Sequence, residues 1–286
     1  MISAHKKFKL QNKKVPVKNY DLPFAKNGLP QLQWIQMVIA PTCTGKSNMV
    51  VNQVNEANKQ GLFDWIVLIS TTGVCSDKGL LEDHIWEKVE IDERHHEYSQ
   101  ELFNTLSEEQ DDRILEYLDY IKYKKLYDKY INCTEDLTSG EVLELEQNQF
   151  NPPENPNPKN RSRCPTRLLI FDDLGKMSQS TMLQNFITKS RHTNTSWICC
   201  VQSYPMIPLC MREQVNILVL FEVSDDRKKE IYQLYCRKIE VTYKQFEMMF
   251  ELLKNPWDFI MICKKSPLDE KYRQGFDICL TFNKSD

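Results

Sequence analysis

The chain has 286 residues, 41% apolar and 27% charged, with a formal net charge of −3. That is the balance of a globular protein long enough to bury a core without disulfide or metal staples. Collagen-like, mucin-like and wholly disordered readings are excluded, and no stretch approaches the roughly 18 consecutive apolar residues of a membrane-spanning helix.

The N-terminal MISAHKKFKLQNKK lacks the apolar stretch of a secretory signal. Residues 1–20 carry six lysines and no acid, so residues 1–30 read either as a phosphate-binding basic arm or as a solvated tail. WIQMVIA (34–40) then reads as a buried strand, and 46–60 as a helix closed by Gly61 in the left-handed conformation. DWIVLIS (64–70) is a second strand. Residues 75–165 read as a helical, acidic insertion, with ten acids and two arginines in 91–120. Its main element is a helix over 107–131, opened by a capping box of Ser107 and Gln110. YLDYIKYKKLYDKY (117–130) fits either tyrosines packed on a core or a base-stacking face. NPPENPNP (151–158) holds four prolines and ends the insertion as a loop.

TRLLIFDD (166–173) is an apolar strand ending in two acids. A helix over 179–190 follows, capped by Ser178. Next come a strand SWICCVQ (196–202), a loop with Pro205 and Pro208, and a strand NILVLFEV (216–223). Ser224 caps a helix over 225–237. Thr242 and Gln245 form a second capping box, with Phe246, Met249, Phe250 and Leu253 on one face. WDFIMIC (257–263) and FDICLTF (276–282) read as the last strands. Apolar strands separated by helices predict an α/β fold with a mainly parallel central sheet flanked by helices. The core falls in 31–74 and 166–286. The 10 cysteines show no C-x-x-C pair, and several sit in apolar runs such as WICCV. They read as small buried hydrophobes of a reducing compartment. His95 and His96 have no partner cluster and read as surface.

The strongest chemical signal is Ala40-Pro41-Thr42-Cys43-Thr44-Gly45-Lys46-Ser47, between a buried strand and a helix. With 8 glycines in the chain, against roughly 20 at average usage, a glycine at this turn is informative. Such a loop points backbone N–H groups at phosphate oxygens, and the helix N-terminus adds its positive dipole end. Lys46 reaches the β- and γ-phosphates of ATP, and the Ser47 hydroxyl ligates Mg²⁺. Ala40 stands where the usual pattern has glycine. The acidic strand supplies the complementary groups: Asp172 to orient Mg²⁺ and Asp173 as the base that polarises the attacking water. A strand-end acid pair alone is also a common turn former.

With both motifs placed, SRHTNTSWICCVQSYPMIP (190–208) resembles the corresponding segment of the FtsK–HerA superfamily of DNA-pumping ATPases. It is most similar to the genome-packaging ATPases of poxviruses, virophages and Polinton-like elements. The resemblance rests on Arg191-His192, Gln202-Ser203-Tyr204, Pro208, and Arg212 before NILVLF, and covers about 34–72 and 166–283. Ala40 and the large insertion depart from the family pattern. The resemblance implies a RecA-like P-loop NTPase with ATP and Mg²⁺ as cofactors. Gln202 would act as a γ-phosphate sensor and Arg191 as a finger toward the neighbouring subunit's nucleotide, with Arg212 the second candidate. It also implies a ring homo-oligomer, hexamer or pentamer, that moves double-stranded DNA into a capsid. Capsid or portal (vertex) proteins would be its partners, no membrane would be involved, and the location would be host cytoplasm or virion. Three alternatives stay open: a cellular or plasmid DNA translocase of the same superfamily, an ATP-binding accessory protein without motor activity, and a nucleoside or shikimate-type kinase.

Overall fold

A computed structural model of the chain describes residues 22–70, 85–132, 137–159, 161–174, 180–190, 192–236 and 240–282. The lysines of 1–20, Ser178 and Arg191 lie outside the described residues. In chain order the elements are β1 (Ile35–Ile39), α1 (Lys46–Lys59), β2 (Trp65–Ser70), β3 (Glu93–His95), α2 (Gln100–Asn132) and α3 (Ser139–Gln147). They continue with β4 (Arg167–Asp172), α4 (Thr181–Ser190), β5 (Thr195–Val201), α5 (Leu209–Gln214), β6 (Ile217–Leu220) and α6 (Asp225–Tyr235). The chain closes with α7 (Tyr243–Phe250), β7 (Ile260–Cys263), α8 (Leu268–Lys271), β8 (Tyr272–Gln274) and β9 (Ile278–Cys279).

Among the described residues, one nine-stranded sheet runs in the order β3-β2-β4-β5-β1-β6-β7-β8-β9. The first six strands of that order are parallel, and β7, β8 and β9 join antiparallel. Parallel strands need covered faces, and alternate residues serve each face. Met37, Ile69, Phe171, Cys199 and Leu218 enter one core with Phe103 of α2, Leu183 and Ile187 of α4, and Phe246 of α7. Val38, Leu68, Ile170, Cys200 and Val219 enter the other, against Val50 and Val54 of α1. Burial pushes the Cys199 and Cys200 thiols well above their ordinary range, as expected of cysteines acting as core hydrophobes.

One polar residue sits in the middle of β1. Gln36 is fully buried, and its amide exchanges two hydrogen bonds with Gln53 of α1, at 2.7 and 2.8 Å. This pairing satisfies both amides and pins the helix to the strand that feeds it. α1 ends where its sequence says it should. Gly61 has φ +63°, and Leu62 N–H reaches the Ala57 carbonyl at 3.0 Å while Gly61 N–H reaches that of Asn58 at 2.9 Å, a Schellman closure. The Thr242–Gln245 capping box forms with both of its arms at the start of α7.

Two expected elements differ. α2 begins seven residues before Ser107, which lies inside the helix with its hydroxyl donating to the Phe103 carbonyl at 2.8 Å. Ser99 caps it instead, accepting from Leu102 N–H at 3.0 Å. The buried stripe Phe103, Leu106, Gln110, Ile114 and Tyr117 has helical spacing from end to end. Packing of its first members on the sheet thus overrides the local cap signal. At the C-terminus the strand expected over 276–282 shrinks to Ile278–Cys279, and β8 forms just before it. A buried Arg273, and a buried Lys271 just before the strand, hide it from hydropathy: Lys271 pairs with Glu240, while the Arg273 guanidinium donates to the Gly28 and Phe276 carbonyls.

The stretch 85–165 is tied to the sheet at several points. Glu93–His95 pairs with β2, and the Asp92 carboxylate accepts from Ile66 N–H at 2.7 Å. Asp64, 1% exposed, accepts from Arg161 (2.8 Å), Arg163 (3.1 Å), and the Thr166 N–H (2.9 Å) and hydroxyl (3.0 Å). This cluster joins the proline-rich loop to the start of β2 and β4. In α2, Tyr117 is buried and packs against Tyr120 with the rings tilted by 43°, while Tyr123, Tyr127, Tyr130 and Phe150 form a row of ring contacts from 5.4 to 6.3 Å. His95 sits on the edge strand beside Glu93, 3.2 Å away, and His96 is exposed.

Candidate phosphate-binding site

β1, β4 and β5 lie side by side, and their carboxyl ends open on one cavity of about 810 Å³. Carboxyl ends of parallel strands are where α/β sheets bind ligands. The cavity is lined by Pro41 through Ser47, by Asp172 and Asp173, and by Gln202. The structure therefore gathers the loop, both acids and the glutamine that the sequence singles out.

The loop is built for close approach. Ala40 is fully buried as the strand ends, and its N–H donates to the Val201 carbonyl at 3.1 Å. It is not among the residues with positive φ, so a methyl group is accepted here where other loops carry glycine. The turn itself is made by Cys43 (φ 62°) and Gly45 (φ 86°). Left-handed residues alternating with right-handed ones turn successive N–H groups inward. The Thr44 hydroxyl donates back to the Pro41 carbonyl at 2.8 Å and braces the loop. Gly45 occupies the position before α1, and no side chain caps the helix there, which leaves the positive end of the helix facing the cavity. A Cβ on Gly45 would stand 3.5 Å from Trp257; the positive φ, rather than space, demands glycine.

Asp172 ends β4 and is 7% exposed. The Trp86 indole N–H donates to its Oδ2 at 3.3 Å. The Tyr98 hydroxyl lies 3.4 Å from the Ile69 carbonyl and 3.5 Å from that of Asp172. Burial, first of all, pushes that phenol far above its usual range, so it stays a neutral donor. Asp173 follows with φ 52°, which swings its carboxylate toward β5. There the Gln202 amide donates to both carboxylate oxygens, at 3.3 and 3.4 Å. Ser47 and Asp172 line the same cavity, and their oxygens are of the kind that suits a hard divalent cation.

Arg212 is not part of this cavity. Its guanidinium, with the side chain 11% exposed, pairs with Glu230, donates to the Ile207 carbonyl at 2.5 Å, and lies 4.2 Å from the centre of the Tyr204 ring. These contacts all lie within the chain and steady the segment just after Gln202. The sequence reading also missed an aromatic wall. Trp257, 65% exposed, lines the cavity with Phe259 and Phe276, whose rings meet edge to face at 5.2 Å. Trp257 was expected inside a strand. Instead it rides on a turn in which Asp258 accepts from the N–H groups of Lys254 and Asn255, at 2.8 and 2.9 Å. Trp86 was missed as well; only the fold brings it to Asp172.

Sheet order and strand-loop-helix junction together define an α/β protein of the P-loop class. The chain belongs to the family described as Poxvirus A32 protein, whose model matches residues 97–277, more than half of the sequence. That match takes in Asp172, Asp173, Gln202 and Arg212 and begins after the phosphate loop. Among curated relatives, the DNA packaging protein OPG160 of Variola virus and that of Vaccinia virus (strain Copenhagen) are each 36% identical over 67 residues, 23% of this chain and 25% of theirs. The aligned part thus spans about a quarter of those relatives. Among solved structures, the genome packaging NTPase B204 of Sulfolobus turreted icosahedral virus 2, in complex with ATP-gammaS, superposes with a TM-score of 0.45 at 11% identity, covering 88% of this chain and 100% of that one. EssC (ATPases 2 and 3) from Geobacillus thermodenitrificans gives 0.45 at 10%, covering 89% and 42%.

Proposed function

We propose that this chain is an ATP-hydrolysing motor that drives double-stranded DNA into a viral capsid, working as a ring of identical subunits. The observation that carries the reading is the Asp173–Gln202 contact beside the phosphate loop, in a chain of the poxvirus A32 family. The curated relatives' name, DNA packaging protein, supplies the substrate class.

The chemistry follows from the residues. Backbone N–H groups of 41–47 and the start of α1 hold the phosphates of ATP, and Lys46 neutralises the β- and γ-oxygens. Ser47 and Asp172 are the residues that would hold Mg²⁺, which when bound supplies further neutralisation of the phosphate charge. The Asp173 carboxylate accepts a proton from water as the water oxygen bonds to the γ-phosphorus and the bond to the ADP oxygen breaks. Gln202, tied to that carboxylate, is placed to register whether the γ-phosphate is present and to pass the change to the segment braced by Arg212. Arg191 lies just after α4, and we assign it the finger role toward a neighbouring subunit, where a guanidinium stabilises transition-state charge. DNA would be held at its backbone by loops facing the ring pore, so a near-neutral chain suffices. The residues 75–165 form an accessory unit on the core of 31–74 and 166–286 in this reading.

The test is nucleotide trapping. Asp173→Asn should bind ATP and fail to turn it over, whereas Lys46→Ala should lose binding. Arg191→Ala should bind ATP with near-normal affinity and lose most turnover. Loss of binding in Arg191→Ala would assign that residue to its own subunit's site instead.

A further inference from the structure

Trp86 belongs to the stretch before β3, outside the phosphate loop and both acidic positions. Its ring is 4% exposed and packs in the core beneath α1. Its single polar atom, the indole N–H, points at Asp172 Oδ2. Its own carbonyl accepts from the Arg94 guanidinium of β3 at 3.0 Å, so the edge strand sets where the indole sits. Ile85, next to it, lines the cavity itself. Tyr98 approaches the same residue from the other core, at the main-chain carbonyl. The acid is thus gripped at its side chain and at its backbone by two aromatic residues from one short stretch, 86–98.

We propose that Trp86 is a positioning residue for the cation-binding carboxylate of Asp172, and that the insertion governs cation affinity through this one hydrogen bond. The inference rests on the reading of Asp172 given above. A donor fixed on Oδ2 settles which lone pairs of the carboxylate face the cavity, before any cation arrives. Phenylalanine keeps most of the ring and none of the donor. Partners of metal-binding carboxylates typically change metal affinity by about 10–100-fold when removed.

The experiment titrates MgCl₂ into full-length protein with a fluorescent ADP analogue, so that binding rather than turnover is read. Trp86→Phe should bind the nucleotide in EDTA as the wild type does. Its Mg²⁺ midpoint should rise by about 10–100-fold. Trp34→Phe is the control: it loses an indole hydrogen bond of the same kind in the same core, to the Pro30 carbonyl at 2.7 Å, and should keep the wild-type midpoint. A folded Trp86→Phe with an unchanged midpoint overturns the proposal. Where Trp86→Phe does not fold, 5-fluorotryptophan in the wild type reads the same bond through its five tryptophan resonances. The resonance left after Trp34, Trp65, Trp197 and Trp257 are assigned by substitution must move when Mg²⁺ joins the ADP-saturated protein, and a stationary one overturns the proposal. A wild type whose nucleotide binding ignores Mg²⁺ overturns the site assignment and this proposal together. A responsive wild type with an unaltered Trp86→Phe overturns the role of Trp86 alone.

Discussion

Asp64→Ala should destabilise the fold heavily although Asp64 lies at the opposite end of the sheet from the cavity. The carboxylate is 1% exposed and has four donors. Without it the buried Thr166 N–H has no acceptor, at a cost of about 1–3 kcal/mol. Arg163, its side chain 14% exposed, keeps the Gly61 carbonyl at 2.7 Å and the Thr166 hydroxyl at 3.5 Å but no counter-charge, and an under-satisfied buried charge adds about 1.5–3 kcal/mol. Arg161, at 27% exposure, rehydrates and adds about 0–1 kcal/mol. These contributions span about 2.5–7 kcal/mol, and the loss expected when a buried ion pair loses one partner, about 3–5 kcal/mol, falls inside that span. At about 2–4 °C per kcal/mol for a domain of this size, a loss of about 3–5 kcal/mol should lower the melting temperature by about 6–20 °C. Urea unfolding followed by circular dichroism measures the free-energy loss and thermal unfolding the melting temperature, with Glu90→Ala as comparison. Glu90 pairs with Lys159 on the surface, 73% exposed, and its loss should cost under about 0.5 kcal/mol. An Asp64→Ala variant within about 1 kcal/mol of wild type would refute the claim that the cluster anchors the proline-rich loop.

Gln202→Ala should leave stability nearly unchanged, because the amide is exposed, and lower kcat by about 10–100-fold with little change in KM for ATP; steady-state kinetics decide it. Gln36→Leu strands the buried Gln53 amide and should cost about 1–3 kcal/mol. Adding Gln53→Leu should recover most of that, and a double variant no better than the single would contradict the pairing. Glu141 is held at about 2, first by Lys129 and then by the Thr138 cap. A lowered carboxyl pKa adds stability that is present above the unfolded value and lost as pH falls through the folded one. The cap of α3 should therefore persist below pH 4.5 and fail near pH 2, and the Glu141 amide shift in NMR titration reports the midpoint.

Legibility in the sequence tracked how local each signal was. Gly61, Thr242 and the Gly45-Lys46-Ser47 junction depend on residues within one turn, and each appears where its neighbours place it. The acids of β4 were legible because they end an apolar run, whereas Gln202 stood out through the resemblance carried by Gln202-Ser203-Tyr204 at the end of another. Ser107 misled because a correct local cap pattern lost to the packing of Phe103 and Leu106 on the sheet. β8 was hidden because Arg273, and Lys271 just before the strand, are buried by partners far away in the chain, Gly28 and Glu240. Trp86 and Trp257 had no local signature at all. What distinguishes them is a carboxylate 86 residues away for the one, and exposure beside a phosphate loop for the other.

The most direct test of the central claim is steady-state ATP hydrolysis with and without long double-stranded DNA, alongside Lys46→Ala and Asp173→Asn. The account predicts turnover that rises with DNA and vanishes in both variants. Turnover unaffected by DNA, or surviving in Asp173→Asn, would contradict it.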